Sequence, residues 1–113
     1  MAECIHLHNH SHFSLLDGAS TIDGLLQAAV ENRMPALALT DHGVMFGAIE
    51  FYKSAKRAGI KPIIGCEAYI VTNGSRFDKE INVQMMKAGK GRGIYHHLVL
   101  LAKNLTGYHN LCK

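Results

Sequence analysis

The chain has 113 residues, 48% of them apolar, and a net charge of +3 with the histidines neutral. That length and composition suit one small domain with a packed core and argue against disorder, and so mild a charge is no independent sign of nucleic-acid binding. No apolar run reaches membrane-span length, no charged-then-apolar leader pattern opens the chain, and the scattered Cys4, Cys66 and Cys112 read as reduced thiols of a cytoplasmic protein rather than a disulfide framework.

Residues 4–8 predict a strand, with Ile5 and Leu7 on one face. His6, His8, His10 and His12 stand at alternate positions, so an extended backbone sends all four rings to the same side. Neutral imidazole is the commonest protein ligand for zinc and similar ions. A metal site is therefore the leading expectation, with His8 and His10 as ligands and His6 and His12 behind them or facing solvent. Residues 11–19 predict a loop containing the Asp17-Gly18 turn signal.

Thr21 is placed to cap a helix over 22–32, where Ile22, Leu25, Leu26, Ala29 and Val30 follow helical spacing, and Pro35 ends it. The nearly continuous apolar run 36–40 suits a strand buried on both faces. Asp41-His42-Gly43 is a loop. A second amphipathic helix is expected over 45–58, with Ile49, Tyr52 and Ala55 inward, Lys53, Lys56 and Arg57 outward, and Gly59 as its stop.

Residues 61–65 start a third strand, and 66–71 continue it or begin another. Residues 72–93, with Gly74, Gly89, Gly91 and Gly93 and the basic Arg76, Lys79, Lys87, Lys90 and Arg92, predict an irregular solvated excursion. Those cations could touch phosphates, although a solvated loop is the preferred reading. Residues 98–102 repeat the buried-strand pattern, and 106–113 open a helix. The alternation of strands and helices indicates an α/β fold with parallel strands and crossover helices, either an open sheet or the first part of a larger barrel.

The chemistry-bearing residues recur beside strands: His8 and His10, then Asp17, Asp41 and His42, and Glu67, at the carboxyl ends where α/β folds gather functional groups. His96 and His97 break that rule, because they precede their predicted strand. Each has a plainer reading. Asp17-Gly18 could be only a turn, Asp41 could cap the turn after it, Glu67 could lie on an edge strand, and His109 reads as a surface residue. Taken together, histidines and carboxylates without thiolate suit Zn, Mn or Fe(II), and clustered ions support in-line phosphoryl displacement. Cys66 reads as a small buried hydrophobe.

His8-Asn9-His10-Ser11 with Ser14-Leu15-Leu16-Asp17-Gly18 resembles the first motif of the polymerase-and-histidinol-phosphatase (PHP) domain family. The run from Pro35 to Gly43 looks like its second motif. Gly47-Ala48-Ile49-Glu50-Phe51-Tyr52, Gly59-Ile60-Lys61-Pro62-Ile63-Ile64-Gly65-Cys66-Glu67, and His97-Leu98-Val99-Leu100-Leu101-Ala102-Lys103-Asn104 with Gly107-Tyr108 resemble its polymerase-associated branch.

The resemblance implies a seven-stranded β/α barrel, of which residues 1–113 would be the N-terminal portion. It implies His8, His10, Asp17, His42, Glu67 and His97 as metal ligands, with Asp41 a weaker candidate in the same motif and His97 preferred to His96. Two or three divalent ions are implied in the complete domain, Zn or Mn first, then Fe or Mg. The implied activity is phosphoester hydrolysis, as 3′–5′ exonuclease proofreading or pyrophosphate hydrolysis, within a protein that synthesises DNA. DNA and other replisome subunits are the implied partners. A structural metal-stabilised module and a free-standing phosphatase are the alternative functions. An incomplete barrel exposes strand edges, so self-association is a further expectation.

Overall fold

The computed structural model describes residues 4–71, 75–77 and 95–113, which form a mixed α/β domain of three helices and three strands. The chain divides into two compact units, one made of the described residues of Met1–Glu67 and Val99–Lys113 and the other of those in Ala68–Leu98.

Helix α1 spans Ile22–Glu31. Thr21 caps it, its hydroxyl accepting from the Gly24 N–H at 3.1 Å, and Asp23 adds an acid to the first turn, where the helix dipole favours one. The chain leaves α1 through Arg33 at φ 53, a left-handed exit that precedes Pro35. Strand β1, Ala36–Leu39, is buried along its whole length.

Helix α2 spans Ala48–Arg57, three residues later at its start than the apolar spacing suggests. Its inner face is Ala48, Phe51, Ser54 and Ala55. Ile49 and Tyr52, expected inside, are 54% and 48% exposed. The physical reason is Phe51: it is the bulkiest side chain on the helix to reach the core, it is fully buried, and it turns its neighbours outward. Val30 of α1 likewise lies outside, and Leu25 is only partly covered. The core gathers Ile22, Leu26, Ala29, Leu37, Leu39, Phe51, Ala55 and Ile60, so α1 packs on both α2 and β1.

Strand β2 is a single strand, Lys61–Val71, and β3 is Tyr95–Leu101. The sheet order is β1-β2-β3. Strands β1 and β2 are parallel, pairing Ala36 with Lys61 through Leu39 with Ile64. Helix α3, Leu105–Leu111, is capped by the Asn104 side chain accepting from Gly107 N–H at 3.0 Å. Because β3 begins at Tyr95, His96 and His97 lie within it and not before it, which corrects the expected boundary.

The expected first strand over 4–8 is not a regular strand. Residues 6–9 do run beside β1, with Ala38 N–H donating to the His6 carbonyl and Thr40 N–H to that of Asn9. Side chains take the remaining ladder positions. Asn9 Nδ2 donates to Ala38 O at 3.0 Å, and the Asn9 N–H donates to Thr40 Oγ1 at 3.0 Å. Ile5 and Leu7 are both exposed there. The excursion over 72–93, with Lys79, Lys87, Lys90 and Arg92, lies outside the described residues apart from 75–77, where the Arg76 guanidinium sits 4.6 Å from the centre of the Phe77 ring.

Gly65 admits a close approach of its neighbours in the sheet. A Cβ there would stand 2.5 Å from the Leu100 carbonyl and 2.9 Å from Thr40 Cγ2. Gly65→Ala is expected to cost about 1–3 kcal/mol, as overpacking does, and to lower the melting temperature by several degrees. Gly107→Ala, whose added carbon meets nothing nearer than 3.4 Å, gives the comparison in the same thermal-melt measurement.

Candidate metal centre

The β1–β2 pairing does not stop at Leu39 and Ile64. In the same register, His42 forms an isolated parallel bridge with Glu67, held by Glu67 N–H donating to Asp41 O and Gly43 N–H donating to Glu67 O, each at 3.0 Å. Gly43, at φ 61, supplies the left-handed turn that ends this run. An acid and an imidazole far apart in sequence are thus fixed side by side by backbone bonding alone.

Glu67 is buried, and its Oε2 is the meeting point of three rings. His8 Nε2 lies 2.6 Å from it, His10 Nε2 2.5 Å and His42 Nδ1 3.5 Å. The other side of the cluster is built on Asp17, whose Oδ2 lies 2.8 Å from His42 Nε2 and 3.9 Å from His10 Nδ1. The His10 ring stands between its neighbours, with centroids 5.0 Å from His8 and 3.9 Å from His42. Within the first compact unit two triads result, His8–His10–Glu67 and His10–Asp17–His42, and within each the donor atoms lie within 4.8 Å of one another. They share His10.

The donor chemistry fits a divalent cation. Imidazole nitrogens and carboxylate oxygens converge on common points, two acids offset the ion's charge, and no thiolate takes part. Cys66, adjacent to Glu67, is buried, and its Sγ–H donates to Asp41 O at 3.5 Å. Burial raises its pKa, with the Gly43 and Val44 backbone contacts opposing and the Asp41 and Glu67 charges adding to the rise. It stays a protonated thiol at neutral pH.

Asp41 is not in either triad. Its carboxylate is buried and turned away, accepting from Ser11 N–H at 2.6 Å, Ser11 Oγ at 2.8 Å and Ser14 Oγ at 2.8 Å. His6 and His12 are exposed, and the His12 ring lies on Phe13 at 4.4 Å between centroids. His97 belongs to the second compact unit, where its exposed ring meets Tyr69 edge-on at 5.0 Å. His109 is exposed on α3.

Four residues outside the expected set shape the site: Asn9, Ser11, Ser14 and Thr40. Asn9 and Thr40 clamp the histidine segment to β1, and the two serines fasten the Asp17 loop to Asp41. Small polar residues of this kind carry no periodic signal. The one available cue was Ser11 and Ser14 flanking the loop inside the first motif. Gly18 completes that loop, since a Cβ there would fall 1.9 Å from Ser11 O.

Residues 6–113 match the PHP domain family. The chain is 54% identical over 111 residues to DNA polymerase III subunit alpha of Thermus aquaticus, a match covering 96% of this chain and 8% of that protein. The subunit of the same name from Mycobacterium tuberculosis is 51% identical over 114 residues, covering 96% and 10%. The chain spans a tenth or less of the length of these curated relatives. Among solved structures, a Bifidobacterium adolescentis protein assigned as a metal-dependent phosphoesterase superposes with a TM-score of 0.64 at 19% identity, over 99% of this chain and 33% of that one. That likeness concerns the fold. An amidohydrolase from Chromobacterium violaceum, solved with sulfate and no metal, gives 0.60 at 26% identity over 96% and 32%.

Two outcomes are expected from this geometry. At pH 8, iodoacetamide labels the exposed Cys4 and Cys112 of the folded chain, while Cys66 reacts only after denaturation, as read by mass spectrometry, because its raised pKa and burial withhold the thiolate. Gly18→Val breaks the loop closure and lowers thermal stability by roughly 1–3 kcal/mol, the range for overpacking.

Proposed function

The chain belongs to the PHP domain family, and on that premise we propose that it is the N-terminal portion of a PHP domain carried by a bacterial replicative DNA polymerase, with a metal-dependent phosphoesterase site. The reading is supported by the identity to polymerase alpha subunits over nearly the whole chain. The single observation that carries the chemistry is the buried Glu67 oxygen shared by His8, His10 and His42.

His8, His10 and Glu67 are the proposed holders of one divalent ion, and His10, Asp17 and His42 of a neighbouring one, with Zn or Mn the ions best matched to this donor set. His97 joins the ligand set through its sequence motif. A divalent ion held here supplies Lewis-acid polarisation of a phosphoester and a water nucleophile at neutral pH. The chain's own part is positional. Glu67 brings a buried negative charge to the rings, His42 is fixed by its backbone bridge, and Asp17 is held on a closed loop at the rim.

In the proposed fold the three-stranded sheet of the described residues belongs to a seven-stranded β/α barrel. The proposed substrate class is a phosphodiester or pyrophosphate, so the activity is 3′–5′ proofreading or pyrophosphate removal during DNA synthesis. DNA and the other replisome subunits are the proposed partners of the parent protein, in the cytoplasm. Among the described residues, no helix is long and apolar enough to cross a membrane.

Zn(II) or Mn(II) reconstitution followed by elemental analysis is expected to find bound metal, and His10→Ala to remove it, since His10 serves both triads. In a full-length polymerase alpha subunit carrying this sequence, the same substitution is expected to abolish metal-dependent 3′–5′ hydrolysis at an unchanged melting temperature. Hydrolysis that persists after metal loss would leave only the structural-module reading.

A further inference from the structure

The loop that presents Asp17 and the loop that presents His42 are tied together by one buried acid. Asp41 accepts from the backbone N–H of Ser11 and from the hydroxyls of Ser11 and Ser14. The Ser14 hydroxyl, having donated its proton to Asp41 Oδ1 at 2.8 Å, presents a lone pair to the His42 N–H at 3.1 Å. Ser14 O also accepts from Asp17 N–H at 3.1 Å and Gly18 N–H at 2.7 Å. A continuous path therefore runs from the Asp41 carboxylate through Ser14 to the backbones of both His42 and Asp17. Ser11, Ser14 and Asp41 are each less than 4% exposed.

We propose that Asp41 is the positioning residue of the site, its carboxylate setting the spacing between the Asp17 loop and His42 through Ser14, and thereby the fit of the His10–Asp17–His42 triad to a divalent ion. This rests on the metal-site reading above. The Asp41 carboxylate is not placed to hold the ion, because its described hydrogen bonds all come from serine donors. An acid suits the role better than an amide: three donors converge on its two oxygens, and an amide would face one serine hydroxyl with a donor of its own. Buried hydrogen bonds to a charged group are also the stronger and more rigid kind.

The test is Zn(II) affinity of the chain, measured by competition with a chromophoric chelator well below each variant's melting temperature, for wild type, Asp41→Asn, Ser14→Ala, His10→Ala and Leu26→Ala. Leu26 lies in the core and takes part in none of the site's described side-chain hydrogen bonds, so its truncation serves as the stability comparison. The expected result is that Asp41→Asn and Ser14→Ala each weaken Zn(II) binding at least tenfold in the folded chain, while Leu26→Ala binds as wild type despite a lower melting temperature. Should Asp41→Asn not fold, Ser14→Ala decides alone. Wild-type affinity in Ser14→Ala, with His10→Ala abolishing binding, would overturn the positioning role and leave the metal site standing. An equal loss in Leu26→Ala would also overturn it, by reducing the effect to stability. A wild-type chain that binds no Zn(II), or His10→Ala binding undiminished, would remove the metal-site reading and the proposal together.

Discussion

The persistence of one parallel register beyond the end of a strand is the constraint on which the rest depends. Strand β1 is only Ala36–Leu39, yet its pairing with β2 resumes at His42 and Glu67 without a slip. A shift of one residue would turn Glu67 to the opposite face of the sheet. The acid could then no longer meet His8 and His10, which arrive on the other edge of β1 through Asn9 and Thr40. The core enforces the register from below: Leu37 and Leu39 are buried against α1 and α2, and Gly65 lets β3 come close on the far side of β2.

The site is consequently a junction of three backbone segments, each fixed by a different force. The histidine segment is held by amide and hydroxyl side chains standing in for ladder partners. The Asp17 loop is held by a buried carboxylate and a glycine that admits a carbonyl. The His42–Glu67 pair is held by the sheet. Placing an acid as buried as Glu67 among apolar neighbours would be costly without partners. The imidazoles supply them, and the same geometry that satisfies the acid concentrates nitrogen donors at its oxygen.

Much of this was legible in the residues. Alternate spacing announced that His8 and His10 share a face, because side-chain direction in an extended segment is local. Thr21 and the apolar spacing after it located α1 for the same reason. The inner face of α2 was not legible from spacing alone. Ile49, Tyr52 and Ala55 make as good a stripe as Ala48, Phe51 and Ala55, and only the space beneath the helix chooses the ring of Phe51. Glu67 could be suspected from its place after a strand, but its partners depend on pairing across the sheet, which no local pattern encodes. Asn9, Ser11, Ser14 and Thr40 were invisible, since each is an ordinary loop residue until a distant segment closes on it. The resemblance to a known family supplied the expectation of a ligand set that periodicity could not.

The His8–Glu67 contact joins positions 59 apart in the chain, and His10–Glu67 joins positions 57 apart. Contacts of such separation are closed against loop entropy, and they slow folding relative to helical turns that form from neighbours. The helices can gain their hydrogen bonds early, but the pocket has no earlier partial form. It comes into being only when β2 pairs with β1, so an ion held there would meet either scattered donors or the assembled cluster.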